Sequence, residues 1–359
     1  MTSFDFAPLL CLLALALALA FRRHRAALLL ASTTLAVAAL TLPPEQIAGS
    51  RAASASVMFL PWFWLLALLL PEPPLRSRRM LAFAVLLGLA AWLCVMAPEH
   101  VWRGFEHVLP LGRLAARPGR IALVLSLLAC AIAAAQWAWQ RRPLDAALAL
   151  ALLAASFGWI QLAGLELRHW LLVSAAATGL GVVYSSWRLA FLDALTGLPN
   201  RRALDETLAR LSGDYALAMV DVDHFKQFND KYGHDAGDRV LVAVARSLAQ
   251  TSAAHAFRFG GEEFCLLFRR PELARQACED ARLAIENLRV ALPRKPAAKA
   301  DKAAAKPARK SETTVQVTAS IGVAPRNPQR RAASEVLKAA DQCLYKAKGK
   351  GRNQVVATA

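Results

Sequence analysis

The first half of the chain is a succession of apolar stretches separated by short polar segments. Most of these stretches have no polar face, whereas a helix on the surface of a soluble protein needs one. Crossing the hydrocarbon core takes about 17–25 helical residues, and the first three stretches lie at the short end of that range. The pattern predicts a multispanning helical membrane region over 1–188, with about seven spans. The stretches are 6–21, 26–42, 56–71, 80–97, 121–139, 145–163 and 169–187.

The first stretch predicts a retained helix and not a secretory signal. A signal peptide carries its positive charges before the apolar run. Here only Asp5 precedes the run, and the arginines of segment 22–25 follow it. We therefore expect the far end of the first span to face the cytoplasm.

Arginines in the short loops orient the remaining spans, because cytoplasmic loops carry an excess of Lys and Arg. With an external N-terminus and seven spans, the Arg-bearing loops 22–25, 76–79 and 141–142 are all cytoplasmic. The segment 98–120 also carries arginines, which leaves open six spans, an interfacial helix or a re-entrant segment. We expect a multi-pass protein of the inner (cytoplasmic) membrane, in contact with lipid, with its second half in the cytoplasm. The spans hold hardly any ionisable groups, which favours anchoring or sensing over transport.

The second half changes to strands alternating with amphipathic helices, a pattern that predicts one sheet with helices packed on it. Asn200 is a candidate cap for the first helix, and Gly260-Gly261 between two strand-like runs predicts a tight hairpin whose turn glycines take positive φ. The predicted helices are 198–211, 235–250, 271–292 and 331–348. The predicted strands are 215–220, the two runs beside Gly260-Gly261, 313–324 and 353–358.

The distribution of positive charge indicates one further feature, a basic segment in the second half. The chain has 359 residues and a formal net charge of +17, with 56% hydrophobic residues. Besides the arginines of the membrane half, much of this charge lies in 294–311, which is rich in Ala, Lys, Arg and Pro and lacks apolar periodicity. We predict a solvated, disordered insertion with incidental attraction to the membrane surface. Nucleic acid is not expected as a partner.

The six cysteines show no CxxC pair and no Cys/His cluster. Neither a disulfide framework nor a zinc site is therefore expected. Buried thiols that pack as small apolar groups are the simpler interpretation.

Carboxylates occur at two points that a sheet could bring together. Asp221 and Asp223 end the first predicted strand, and Glu262 and Glu263 follow Gly260-Gly261. Converging carboxylates repel one another unless a cation is present, and Mg²⁺ is commonly held by one or two carboxylates plus substrate phosphates. Residue types alone therefore suggest metal-dependent phosphoryl or nucleotidyl transfer. A solvated hairpin tip with surface acids remains the alternative at this point.

Five motifs in order resemble the GGDEF family of diguanylate cyclases, with the signature in its GGEEF form. The resemblance covers about 190–357 and does not extend to the membrane half. The motifs are Asp193–Arg202, Asp221–Asp230, Gly233–Asp238, Gly260–Phe264 and Ala340–Asn353. It implies an α/β (α+β) domain over 189–359, with a central, mostly antiparallel sheet flanked by helices, similar to nucleotide cyclase and polymerase palm domains.

The resemblance also implies an activity and a metal site. Two GTP would be condensed to cyclic di-GMP and pyrophosphate. The carboxylate of Asp221, the backbone carbonyl of Val222 and the carboxylate of Glu262 would ligate Mg²⁺ or Mn²⁺, with two cations per site. Glu263 would be a second ligand or take part in proton transfer, so Glu262 and Glu263 are the catalytic candidates.

The same resemblance assigns the substrate contacts. Asn229 and Asp238 would hydrogen-bond guanine, and Lys226, Lys348 and Arg352 would contact phosphates. The full set assigned to GTP is His224, Phe225, Lys226, Asn229, Asp238, Gly260, Gly261, Lys348 and Arg352.

Each active site needs a GTP from either side, so the expected active species is a homodimer formed through the GGDEF domain and, as a second contact, the spans. Two features depart from many family members. The last span reaches Asp193 with almost no signalling helix, and the Arg-x-x-Asp product-inhibition positions are Thr251 and Ala254. A catalytically silent member that binds nucleotide and signals through a partner is the alternative hypothesis.

Overall fold

The computed structural model describes residues 7–40, 59–69, 81–83, 85–89, 119–159, 166–292 and 313–358. Within it the chain forms two compact units, Met1–Arg188 and Leu189–Ala359. The segment 294–311, predicted to be a disordered insertion, lies outside the described residues.

The described part of the first unit is helical. Its helices are α1 (Ala7–Ala20), α2 (His24–Leu40), α3 (Gly119–Gln140), α4 (Pro143–Trp159) and α5 (Leu167–Phe191). A further apolar helix covers Phe59–Leu69. Two pairs are separated by tight turns, in which Arg22 between α1 and α2 and Arg141 between α3 and α4 have φ values of 55° and 54°.

The expected count of about seven spans is not supported. Within the described ranges, two helical segments are long and apolar enough to cross a membrane, Leu123–Gln140 and Leu167–Phe191. The other apolar helices in these ranges, such as Pro8–Ala20 and Pro143–Trp159, are only 10–17 residues long. At about 1.5 Å per residue they are shorter than the roughly 30 Å hydrocarbon core. The described helices coincide with predicted apolar runs, and the turns at Arg22 and Arg141 fall in the predicted loops 22–25 and 141–142.

Polar side chains inside the first unit contact one another. Arg25 of α2 lies 3.7 Å from Asp145 of α4, and both side chains are largely buried. Arg25 also donates to Gln136 Oε1 at 3.1 Å, and Gln136 Nε2 donates to the carbonyl of Leu68 at 3.0 Å. These contacts satisfy groups that would be costly to leave unpaired in an apolar environment.

The second unit is built on a five-stranded sheet of order β2-β3-β1-β6-β7. All its pairings are antiparallel except the parallel pair β6–β7, which confirms a mostly antiparallel sheet flanked by helices. Its helices are α6 (Arg201–Arg210), α7 (Phe225–Tyr232), α8 (His234–Ala249), α9 (Pro271–Glu286) and α10 (Ala333–Gly349). The strands are β1 (Ala216–Val222), β2 (Ala254–Arg258), β3 (Glu263–Phe268), β4 (Val290–Leu292), β5 (Thr313–Val315), β6 (Ala319–Pro325) and β7 (Val355–Ala357).

Strand β1 is buried on both faces, because successive side chains point to opposite sides of a sheet. Val220 and its alternate neighbours join the apolar core formed with α8 and α9. Leu217 and Met219 join the core formed with α6 and α10. Helix α10 packs so closely on β6 that a Cβ on Gly322 would collide with the backbone of α10. This packing places the end of α10 beside the end of β1.

Most predicted elements of this unit are present, with differences at short ones. Asn200 caps α6 and accepts a hydrogen bond from the backbone N–H of Ala203 at 3.1 Å. The eight-residue helix α7 was not predicted, and the helix predicted over 271–292 ends at Glu286, before the short strand β4. Short elements give too few residues for periodicity to be read.

Candidate active site

Strand pairing brings the predicted carboxylates together at the end of β1. Asp221 lies opposite Glu263 in the β1–β3 register and opposite Ser320 in the β1–β6 register. The backbone N–H of Val222 donates to the carbonyl of Glu262 at 3.3 Å. The residues proposed as metal ligands, Asp221, Val222 and Glu262, therefore lie in one place.

The loop between β2 and β3 corrects the predicted hairpin turn. Residues 259–262 connect the strands, so the loop is longer than two residues, and neither Gly260 nor Gly261 has a positive φ. The N–H groups of Phe259 and Gly260 both donate to the carbonyl of Glu263, at 2.9 and 3.1 Å. A Cβ on Gly260 would lie 3.0 Å from Glu263 Oε2, whereas one on Gly261 would meet open space. At Gly260 a side chain would therefore have to displace the Glu263 carboxylate slightly, and the constraint is this close approach and not left-handed backbone.

Arg258 holds this loop in place, a role that the sequence analysis did not assign. Its guanidinium donates to the carbonyls of Gly260 at 3.1 Å and Gly261 at 2.7 Å, and to Asp193 Oδ1 at 2.7 Å. Asp193 also accepts from the backbone N–H and the hydroxyl of Thr196. An arginine at a strand end, two residues before paired glycines, is the signal that could have indicated this contact.

The pKa of Asp193 reflects that pairing. Burial by itself raises the pKa of this carboxyl, but the hydrogen bonds from Arg258 and Thr196 outweigh burial and hold it below its ordinary value of 3.8. Asp193 therefore stays ionised and keeps Arg258 oriented towards the loop.

The surroundings of Asp221 hold more negative than positive charge. Its side chain is only 6% exposed and pairs with Lys348 Nζ at 2.8 Å. Burial raises its pKa above the ordinary value; Lys348 and Arg352 lower it, and Asp223 raises it further. Burial also raises the pKa of Glu262, and the charges of Asp221 and Glu263 add to that rise while Lys348 opposes it.

This arrangement suits a hard cation whose coordination shell is completed by the substrate. Across the described ranges, no group of three or more His, Cys, Asp or Glu side chains has the geometry to enclose a metal ion. The donors present are two carboxylates and a backbone carbonyl, the small oxygen set with which Mg²⁺ is held when phosphates and water complete its shell. Burial raises the pKa of Asp221 and Glu262, and the neighbouring carboxylates add to the rise while Lys348 opposes it, so a bound cation would stabilise the ionised forms.

Asp223, only two residues from Asp221, is in a different environment. Thr318 Oγ1 donates to its Oδ2 at 2.7 Å and Ser320 Oγ to its Oδ1 at 2.7 Å. The backbone N–H of Asn353 donates to Oδ2 at 3.0 Å. The protein itself supplies the hydrogen bonds that this buried carboxylate requires, so Asp223 ties β1 to β6 and to the chain's end.

Among the residues assigned to guanine, Asn229 is the most informative. Its Oδ1 is buried and, among the described residues, no donor reaches it. The atom lies against Gly237, where a Cβ would collide with it. An unpaired buried acceptor is costly, and an N–H of a bound base would satisfy it. Asp238, by contrast, is exposed.

The remaining assigned residues divide by exposure. Phe225 is buried in the apolar core, with its ring parallel to that of Phe228 at 6.4 Å. His224 and Lys226 are exposed, and His224 has a left-handed φ of 56° in the turn before α7. Arg352 is also exposed, and its charge lowers the pKa of Asp221, which places its positive charge in the field of the carboxylates.

The buried thiols behave as expected for packing groups. Burial raises the pKa of Cys265 to about 12 and raises that of Cys278 still further. Thiols held in this protonated state are poor nucleophiles and poor metal ligands.

The comparisons with known proteins agree with this geometry. Residues 190–354 match the family model described as "Diguanylate cyclase, GGDEF domain". Diguanylate cyclase VdcA of Vibrio cholerae serotype O1 is 37% identical over 174 residues, which are 46% of this chain and 47% of VdcA. Diguanylate cyclase DgcP of Pseudomonas aeruginosa is 38% identical over 177 residues, which are 46% of this chain and 24% of DgcP.

A solved structure, the coiled coil and GGDEF domain of DgcB from Caulobacter crescentus in complex with c-di-GMP, is 31% identical with a TM-score of 0.42. It is matched over 49% of this chain and 90% of that chain. The present chain spans about half the length, or less, of the two curated relatives named above. Residues 190–354 therefore form a GGDEF domain, an α/β domain with a mixed sheet flanked by helices, of the kind found in diguanylate cyclases.

Proposed function

We propose that this chain is a membrane-bound diguanylate cyclase that condenses two GTP to cyclic di-GMP and pyrophosphate. The observation that carries the proposal is the convergence of Asp221, Glu262 and Glu263 beside the Gly260-Gly261 loop of a GGDEF domain. These carboxylates lie beside a glycine loop whose backbone a nucleotide can approach closely. Protein groups balance only part of their negative charge.

Mg²⁺ or Mn²⁺, two per site, would be held by the Asp221 carboxylate, the Val222 carbonyl and the Glu262 carboxylate. When bound, such cations supply charge that stabilises attacking and leaving oxygens. Glu263, opposite Asp221 in the sheet, serves as a further ligand or accepts a proton. Catalytic roles therefore fall on Glu262 and Glu263.

In the reaction, the 3′-hydroxyl of one GTP loses its proton and attacks the α-phosphate of the other, and pyrophosphate leaves. Asn229 and Asp238 select guanine, since a carboxylate accepts from both N1–H and the 2-amino group, whereas adenine presents no such pair of donors. Lys226, Lys348 and Arg352 balance phosphate charge. Most of the acceleration comes from positioning and charge stabilisation.

Two GTP must face each other, so we expect the active species to be a homodimer with one GTP on each domain. The entry motif begins at Asp193, directly after α5 ends at Phe191. Regulation through the first unit would therefore act by the placement of the α5 helices of two protomers.

Membrane attachment rests on the first unit. Leu123–Gln140 and Leu167–Phe191 have the length and composition of spans, and they expose large apolar side chains such as Trp139 and Leu180. We expect the full chain to remain in the membrane fraction after washing with alkaline carbonate and to be released only by detergent. Release by carbonate alone would contradict attachment by spans.

Feedback control is expected to differ from that of family members with an Arg-x-x-Asp site. Thr251 and Ala254 occupy those positions and present no guanidinium or carboxylate to a product molecule. We expect the rate of the purified chain to be unaffected by micromolar cyclic di-GMP through this site. A steep fall in rate at that concentration would contradict the expectation.

The deciding experiment is incubation of the full-length chain, purified in detergent, with GTP and Mg²⁺, with product identified by mass spectrometry. We expect cyclic di-GMP and pyrophosphate from GTP, no cyclic product from ATP, and none from Glu262→Ala. A wild-type chain that binds a non-hydrolysable GTP analogue but forms no cyclic di-GMP would support the silent, partner-signalling alternative.

A further inference from the structure

The turn after α10 has an unusual backbone. Gly351, Arg352 and Asn353 have φ values of 109°, 68° and 45°, so three successive residues are left-handed. The N–H of Arg352 donates to the carbonyl of Ala347 at 3.0 Å, the hydrogen bond that closes a Schellman motif at a helix end. Glycine adopts this conformation freely, but an arginine needs surrounding contacts to hold it there.

Asn353 supplies those contacts with both its backbone and its side chain. Its N–H donates to Asp223 Oδ2 at 3.0 Å, and its Nδ2 donates to Glu286 Oε1 at 2.8 Å. Its Oδ1 accepts from Arg282 Nη1 at 2.8 Å. The residue after Arg352 is thus bonded to β1 and to α9 at the same time.

The partners of Asn353 on α9 are themselves held. Arg282, which is 8% exposed, pairs with Glu279 at 2.7 Å and with Glu286 at 2.9 Å. Those pairings raise the pKa of Arg282 and lower that of Glu286, so both stay charged. The amide of Asn353 is therefore oriented by one fixed donor and one fixed acceptor.

We propose that Asn353 is a positioning residue that acts through Arg352. It holds the guanidinium of Arg352 near the carboxylates at the end of β1, where the phosphates of GTP would bind. Arg282 and Glu286 in turn act through Asn353. This inference rests on the proposed function, because Arg352 is expected to contact GTP phosphate. Asn353 itself touches no reacting atom.

The test measures, on the full-length purified chain, the Kd of a non-hydrolysable GTP analogue together with kcat and KM. Asn353→Ala should raise Kd and KM about tenfold, the worth of one charge-assisted hydrogen bond, while kcat changes about threefold or less. In an Arg352→Ala background the same substitution should change Kd less than about twofold, because the two residues act as one unit.

Three further variants separate positioning from stability. Gln354→Ala removes one side-chain hydrogen bond, to the carbonyl of Ala347, in the same turn. It should leave Kd within about twofold of wild type. Asn353→Asp places a carboxylate against Glu286 and should weaken binding, whereas Asn353→Asp with Glu286→Gln restores an acceptor for Arg282 and a donor from position 286, and should recover most of the affinity.

The outcomes are distinct. Additive effects of Asn353→Ala and Arg352→Ala on Kd, or a lower melting temperature of Asn353→Ala with unchanged Kd, would overturn the positioning role. Wild-type binding without turnover would count against the cyclase proposal while the binding comparison still decides the role of Asn353. A wild-type chain that binds no GTP analogue would overturn both.

Discussion

Two aspartates two residues apart end strand β1, and the protein treats them differently. We call Asp221, Glu262, Glu263 and Lys348 the Asp221 cluster. On the other side, Asp223 accepts from Thr318, Ser320 and Asn353, and these four residues are the Asp223 cluster.

The Asp223 cluster gives a buried carboxylate three hydrogen-bond donors. The Asp221 cluster contains one ammonium and three carboxylates, with the charge of Arg352 acting on it from outside, and burial raises the pKa of Asp221 and Glu262. A carboxylate whose requirements the protein meets is part of the scaffold, whereas one left with uncompensated charge is available to a cation. At one strand end, the Asp223 cluster therefore stabilises the fold, whereas the Asp221 cluster is the part expected to take part in the chemistry.

The largest expected effect tests the chemical side of that contrast. Glu262→Gln should lower kcat by about a thousandfold or more, since a charged metal ligand is replaced by a neutral amide. The same change should raise the melting temperature of the metal-free chain, because it removes a charge that burial disfavours and that repels Asp221 and Glu263. Turnover assays and thermal unfolding with EDTA measure the two effects.

A matched control is Glu206→Gln, which removes an exposed carboxylate that pairs with Arg210 at 3.5 Å on α6. Both activity and melting temperature should stay near wild type, because exposed pairs of this kind contribute about 0.3–0.5 kcal/mol. A Glu262→Gln chain that is less stable than wild type without metal would contradict the excess of negative charge inferred for the Asp221 cluster.

Arg258 offers a further test of the comparison, because it holds the loop that carries Glu262 and is not one of the proposed metal ligands. Arg258→Lys should lower kcat/KM by about 10- to 100-fold, since an ammonium cannot reproduce three directed bonds to Gly260, Gly261 and Asp193. Steady-state kinetics with GTP provide the measurement. Arg246→Lys on the exposed surface of α8 is the control, and equal losses in the two variants would refute a loop-positioning role.

Substitutions in the Asp223 cluster should lower the stability of the fold. Asp223→Ala leaves the donors of Thr318, Ser320 and Asn353 without their acceptor, and we expect the free energy of unfolding to fall by about 3 kcal/mol. Thr318→Val, which removes one donor, should cost about 1 kcal/mol. Denaturant titration gives both values, and an Asp223→Ala chain as stable as wild type would remove the distinction between the two clusters.

The smallest effect is a pH dependence of opposite sign for two carboxylates. The pKa of Asp193 lies below its ordinary 3.8, so its ion pair with Arg258 stabilises the fold above that pH and is lost as pH falls through the lower folded value. The pKa of Glu262 lies above its ordinary 4.5, so the metal-free fold loses stability as pH rises from 4.5 through the raised value.

Unfolding free energies measured across pH on two variants test these signs. The deficit of Asp193→Asn should shrink below about pH 4. The gain of Glu262→Gln should be present near pH 7 and vanish towards pH 4. A gain for Glu262→Gln that persisted at acid pH would show that removal of the buried, repelled charge is not its cause.

Periodicity predicted much of the second unit, because its longer helices are amphipathic and its strands are short apolar runs between turn residues. The cap at Asn200 was predictable from a local signal, whereas the pairing of the strands that carry Asp221 and Glu263 joins distant parts of the chain and was only a condition of the metal-site hypothesis. The helix α7 and the strand β4 were not, since eight and three residues carry no readable period.

The hairpin loop shows where local reasoning was wrong, and in the membrane half the expected number of spans is not found among the described residues. Paired glycines suggested a two-residue turn with positive φ, but the loop is set by hydrogen bonds from Arg258 and by the approach of Glu263 to Gly260. Seven apolar runs predict about seven spans, but within the described residues only two helices are long and apolar enough to cross a membrane, and the other apolar helices there are 10–17 residues long.

The sequence by itself determined the motifs, the order of the elements in the GGDEF domain and the carboxylates that a cation could use. It could not distinguish the roles of Asp221 and Asp223, which share a residue type and nearly a position. Only the tertiary structure decided those roles, because the donors to Asp223 come from 95, 97 and 130 residues away in the chain. The balance of charge around a buried group is set by its neighbours in space, and these are known only once the chain has folded.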